Sequence, residues 1–143
     1  MSKINSGNLV VHPLPYSLLA SHWFAQIRHL ELPVLLTSGS SSHPSARFDI
    51  LTADPHCILR TKNQLTVVSK AGIECEATLD NPFKVIAKYC RVQSDDLPDT
   101  IDLPFTGGAI GYFGYELLHT QFSIQSTQIA LTAPDMLVGI YDW

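Results

Sequence analysis

Apolar positions recur along the chain with two different periods, and the change of period separates helices from strands. Leu19, Trp23, Ile27 and Leu30 follow one another at four, four and three residues, one stripe of a helix. Pro13 and Pro15 stand ahead of them, and proline suits only a first helical turn, so the spacing predicts a helix from about Tyr16 to Leu30, closed by Pro33. Phe83, Ile86, Ala87 and Cys90 fall at i, i+3, i+4 and i+7 and predict a second helix, capped by Asp80 or Asn81 with Pro82 in its first turn. Cys90, on that apolar face, is expected to be buried.

Between and after these helices the pattern is that of strands. Leu9 to Val11 and Val34 to Leu36 read as short strands, the second of them buried. Arg47 to Thr52, Cys57 to Thr61, Leu65 to Ser69 and Ile73 to Ala77 follow, with Lys62-Asn63-Gln64 suited to a tight hairpin. The stretch from Ser38 to Ala46, with five serines, a glycine and a proline, reads as a loop, as does the acidic stretch from Gln93 to Asp102. A glycine-rich segment from Phe105 to Tyr115, a short helix or turn near Glu116 to His119, and an apolar strand from Met136 to Trp143 complete the pattern. Two main helices and about seven strands joined by hairpins make an α+β fold with mostly antiparallel sheet, one domain over residues 1–143. An apolar strand at the very end would be an unpaired hydrophobic edge, so more protein is expected beyond Trp143. The chain is accordingly expected to expose apolar surface and to self-associate.

Composition narrows the function classes. With 45% hydrophobic and 15% charged residues there is material for a core. A net charge of −4 supplies no basic field for nucleic acid or anionic lipid, so neither is expected as a partner. There is no apolar signal segment at the start and no run near the ~18 residues of a membrane span. Cys57, Cys75 and Cys90, odd in number and widely spaced, read as reduced thiols of a cytoplasmic protein.

Little in the chain has the spacing of catalysis. His22 and His29 share a helix, but seven residues place them ~10 Å apart, too far for one metal ion. The serines around Ser38 to Ser45 lack a nucleophile elbow. Gly107, Gly108, Gly111 and Gly114 crowd eight positions without the order of a phosphate-binding loop; they read as a strand that needs close backbone approach.

Three segments, in order, resemble one family. They are Leu35-Leu36-Thr37-Ser38 with His43-Pro44-Ser45-Ala46-Arg47-Phe48-Asp49-Ile50, then Leu103 to Glu116 around the glycines, then Pro134-Asp135-Met136 running into Gly139 to Trp143. Together they resemble the N-terminal region of the component I family that contains aminodeoxychorismate synthase and anthranilate synthase. Anthranilate synthases typically show Leu-Leu-Glu-Ser and an Arg-Tyr-Ser type sequence. Thr37 and the Arg47-Phe48-Asp49 run look like the folate-pathway branch instead.

The resemblance implies a non-catalytic N-terminal domain of a larger transferase, which aminates chorismate to 4-amino-4-deoxychorismate for 4-aminobenzoate and folate. It implies a glutamine amidotransferase subunit as ammonia source, and magnesium and chorismate held by a C-terminal catalytic domain absent from this chain. The chain alone would then be inactive and carry no cofactor. It also implies a tryptophan pocket between the two domains, whose wall on this side maps onto Leu36, Ser38, Ser45, Ala46, Arg47 and Phe48. Tryptophan there would be a structural filler, or, on the alternative reading of the chain as an anthranilate synthase domain, a feedback signal. Arg47 suits a bidentate carboxylate contact and a structural salt bridge equally, and for Leu36 and Phe48 ordinary core packing is the favoured reading. Some relatives carry an aromatic residue where this chain has Ser45, and its loss here would remove an apolar contact with the ligand.

Overall fold

Asn81 and Pro82 start a helix for separable reasons: the Asn81 side chain accepts a hydrogen bond from the Phe83 amide at 2.9 Å, and proline at the first position lacks only an amide that the helix cannot use. In the computed structural model, which describes residues 19–39, 42–44, 46–90, 103–115, 117 and 132–143, this helix is α2, Pro82–Tyr89. The others are α1 (Ala20–Ile27), β1 (Val34–Leu36), β2 (Ile50–Thr52), β3 (Cys57–Lys62), β4 (Leu65–Lys70), β5 (Ile73–Thr78), β6 (Gly108–Phe113) and β7 (Met136–Tyr141). Two helices and two antiparallel sheets among the described residues make the fold α+β, as the hydrophobic pattern requires. No helix among them is long and apolar enough to cross a membrane. The strand expected at Leu9 to Val11, the first turn of the helix expected from Tyr16, and the loop expected from Gln93 lie outside the described residues, as does most of the turn near Glu116.

The described residues fall into two compact units, divided after Asp54 and again between Gly107 and Gly108, with Trp143 grouped with the first. In the first unit α1 stops at Ile27, three residues short of the expected end. After Ile27 the Leu30 amide donates to the Ile27 carbonyl at 3.0 Å in a tighter turn, and Leu32, with a positive φ of 43°, then leads into Pro33. β1 and β2 pair antiparallel from Val34↔Thr52 to Leu36↔Ile50. Beyond Thr52, Glu31 and Asp54 hold each other: the Asp54 amide donates to the Glu31 carbonyl, and the Asp54 side-chain carboxylate accepts from the Glu31 amide, both at 2.8 Å. Thr52, fully buried, donates its hydroxyl to the Trp143 carbonyl at 2.6 Å. The expected strand from Arg47 shortens to Ile50–Thr52, because side chains replace ladder bonds at its start. β1 is not buried as expected: its residues are half-buried and Leu36 is exposed.

The second unit is a five-stranded sheet in the order β5-β4-β3-β7-β6, antiparallel throughout. Alternation along β3, β4 and β7 puts Cys57, Leu59, Val68, Met136, Val138 and Ile140 into one core with Val85 of α2. Three expectations fail here. The buried face of α2 is Pro82 and Val85, with Ile86 and Tyr89 packed against the core, whereas Phe83 and Ala87 are exposed. Cys90 is half-buried at the helix end. β7, expected as an unpaired edge, lies between β3 and β6 and is the most deeply buried strand; its apolar run reflects neighbours on both sides.

Candidate functional site

In the first unit the residues just past the β1–β2 pair bend around a pocket of about 390 Å³, lined by Ser38, Gly39, Ala46, Arg47, Phe48, Asp49 and Leu51. Its walls are held by side chains standing in for ladder hydrogen bonds. Ser38 donates its hydroxyl to the Phe48 carbonyl at 2.6 Å, and the Asp49 carboxylate accepts from the Ser38 amide at 3.0 Å. Thr37 accepts from the Gly39 amide at 3.0 Å, closing a turn in which Gly39 has φ +66°. A Cβ at Gly39 would meet nothing within 4 Å, so backbone conformation rather than space selects glycine there. On the other wall the Ala46 amide donates to the His43 carbonyl at 2.8 Å.

The Arg47 guanidinium lies 4.8 Å from the centre of the Phe48 ring, a cation–π contact that orients both at the pocket. The lining therefore combines a cation, a carboxylate, a hydroxyl and the apolar surfaces of Ala46, Phe48 and Leu51. The volume is within the usual range of ligand pockets.

Ser38, Ala46, Arg47 and Phe48 of the candidate residues are brought together here. Leu36 is not among the lining residues, and it is 48% exposed, so neither the pocket nor a core claims it. Ser45 lies outside the described residues. Gly39, Asp49 and Leu51 also line the pocket, and nothing in the sequence pattern marks Gly39 or Leu51 for it. Asp49 carried a signal in the Arg47-Phe48-Asp49 run, but its bond to the Ser38 amide depends on the approach of two segments eleven residues apart.

Catalytic groups are scarce among the described residues. No three His, Cys, Asp or Glu side chains gather to hold a metal ion there. Cys57 is fully buried, and burial pushes its thiol up to about 11, far from the thiolate a nucleophile needs. The glycine-rich segment is β6, and a Cβ at Gly111 would fall 2.1 Å from the Leu137 carbonyl oxygen of β7. Glycine serves close strand approach here.

No protein-family model matches the chain. Among curated proteins it is 43% identical over 126 residues to aminodeoxychorismate synthase component 1 of Salmonella typhimurium, and 39% identical over 125 residues to that of Escherichia coli K12. Each match covers 87% of this chain and 27% of the relative. Anthranilate synthase component 1 of Lactococcus lactis is more distant, 30% identical over 111 residues, covering 76% of this chain and 23% of the relative. The chain thus spans about a quarter of the length of the curated relatives it matches. Over that stretch it is a homologue of aminodeoxychorismate synthase component 1 and belongs with the component 1 sequences of which anthranilate synthase is the more distant branch.

Proposed function

We propose that the chain is the non-catalytic N-terminal part of an aminodeoxychorismate synthase component 1, and that it supports the part that aminates chorismate. The greater identity to aminodeoxychorismate than to anthranilate synthases favours the folate branch over a feedback domain of tryptophan synthesis. The designation "component 1" implies a second component for the relatives; on this reading the whole cytoplasmic protein works with such a component, a glutamine amidotransferase subunit that supplies ammonia. Magnesium and chorismate are held by the catalytic part. Among the described residues no three His, Cys, Asp or Glu side chains gather as potential ligands.

The pocket is one wall of a tryptophan site. The observation that carries this reading is the convergence of Ser38, Ala46, Arg47, Phe48 and Asp49 on a single pocket in a chain homologous to component 1. Arg47 would meet the carboxylate of the amino acid, Asp49 its ammonium, and Phe48 and Leu51 the indole.

Calorimetry of the full-length protein with tryptophan, run beside an assay of chorismate amination, tests it. Binding that Arg47→Ala and Phe48→Ala each weaken, with amination unchanged by tryptophan, is the expected result. Inhibition by tryptophan would turn the reading toward a feedback sensor. Absence of binding would remove the pocket from the function.

A further inference from the structure

The two outer strands of the five-stranded sheet are built differently. β5 carries Glu74 and Glu76, and its pairing with β4 is interrupted by a bulge at Val68/Ser69. Charges and bulges are the devices that keep an open strand from pairing with another chain. β6 has neither. Its sequence Gly-Ala-Ile-Gly-Tyr-Phe contains no charge and no proline, its register with β7 is unbroken, and among the described strands it has a neighbour on one side only.

Aromatic surface lies beside that edge. The Phe113 ring at the end of β6 stacks on Phe83 in the first turn of α2, with centroids 5.3 Å apart and planes 16° from parallel. Phe83 is 48% exposed, Phe113 50% and Tyr112 42%. Tyr112 is fixed by its hydroxyl, which donates to the Pro134 carbonyl at 3.1 Å. Stacked rings contributed by two elements are already ordered, so covering them costs little entropy, and aromatic side chains of this kind dominate binding energy at interfaces.

We propose that the open edge of β6 and the Phe83–Phe113 pair form the surface on which the remainder of the component 1 polypeptide docks. The proposal rests on the reading of this chain as one segment of a longer enzyme. The occupant follows from proportion: the matched stretch is 27% of its relatives, so the larger part of such a protein lies outside these residues. That part adds a strand to β6 by main-chain hydrogen bonding and covers the two rings.

Hydroxyl-radical footprinting of the full-length protein, read residue by residue and normalised to each side chain's intrinsic reactivity, tests the proposal. Ile73 and Leu79, 72% and 75% exposed on the same unit, serve as internal controls. Phe83, Tyr112 and Phe113 are expected to be several-fold more protected than the controls at every protein concentration. In the same protein Phe83→Ser and Phe113→Ser lower the melting temperature and the amination rate, while Ile73→Ser and Leu79→Ser leave both unchanged. Equal protection of patch and controls overturns the proposal. So does protection that fades on dilution, which assigns the surface to a second copy. An active enzyme with an open patch defeats this inference alone; a full-length protein that cannot aminate chorismate, with its patch covered, defeats the functional reading and leaves the docking surface standing.

Discussion

The ring of Tyr141 folds back along β7 over Gly139, so closely that a Cβ on Gly139 would lie 2.7 Å from the Tyr141 hydroxyl oxygen and ring Cζ. Residues two apart on a strand share a face, and the missing side chain at Gly139 is the space that the tyrosine occupies. Both positions are buried, with Tyr141 only 1% exposed. Gly139→Ala therefore forces the ring out of a packed site. The expected cost is about 1–3 kcal/mol, measured by urea unfolding of the variant beside the wild type. A variant as stable as the wild type would mean that the ring has another place to go.

Thr61 and Thr66 form a second fitted pair. They are cross-strand partners of β3 and β4, both fully buried, with hydroxyl oxygens 2.9 Å apart. Thr61→Val or Thr66→Val leaves the other hydroxyl without this partner, at an expected cost of about 1–3 kcal/mol each. Replacing both removes the polar pair as a unit, so the double variant is expected to be clearly more stable than the sum of the singles predicts. Additive losses in a double-mutant cycle would show that the hydrogen bond contributes nothing of its own.

Much of this architecture could be read from residue order because local chemistry agrees with the fold. Asn81-Pro82 marks the helix start, and alternation from Cys57 to Lys70 marks the hairpin. What could not be read depends on encounters between distant segments. The α2 stripe seen in the sequence contains Phe83 because a phenylalanine counts as core, yet this one leaves the sheet face to stack on Phe113, thirty residues away in sequence. β7 looks like an edge because it is the last apolar run of the sequence, whereas its partners β3 and β6 come from far apart. The pocket was half legible. Ser38, Ala46, Arg47 and Phe48 stand in recognisable segments, but Asp49 and Gly39 acquire their part only when the Ser38 amide meets the Asp49 carboxylate.

Glu76 joins β5 to α2 through Lys88, whose ammonium lies 2.8 Å from both carboxylate oxygens, and through the Tyr89 hydroxyl. The hydrogen bonds from Lys88 first, and then from Tyr89, hold the Glu76 carboxyl below its ordinary range. The same carboxylate is the main reason that Tyr89 is pushed up to about 12; burial alone takes Tyr141 to about 12. The signs are opposite. Glu76 stabilises the fold above the unfolded carboxylate value, and that contribution is lost as pH falls through its depressed folded value. The tyrosines contribute fully below about pH 10, where an unfolded tyrosine ionises, and the contribution disappears as pH rises through about 12. Stability is expected to drop steeply across that alkaline window. In Glu76→Gln, tyrosinate absorbance should show one residue ionising at lower pH while Tyr141 is unmoved; an unchanged titration would break the assignment of Tyr89 to Glu76.

The β3–β4 hairpin turns through two residues, Asn63 and Gln64, with φ of +48° and +70°. Such a turn matches the twist of the strands but demands left-handed backbone, which asparagine tolerates and glutamine does not. The strain is held by Asp135, 8% exposed, whose carboxylate accepts from the Asn63 amide at 2.8 Å and from the Lys62 ammonium at 3.3 Å. Its own amide donates to Thr61 O at 2.8 Å, so the residue before β7 braces the turn from below. Gln64→Gly relieves the backbone and is expected to stabilise by up to about 1 kcal/mol. Asp135→Ala removes a charged acceptor and is expected to cost about 1.5–3 kcal/mol. In the double variant the loss should be smaller than in Asp135→Ala by more than the gain from Gln64→Gly alone, because a turn free of strain needs less bracing. Thermal unfolding of the four proteins decides it: simple additivity would mean that the carboxylate and the strained turn act independently.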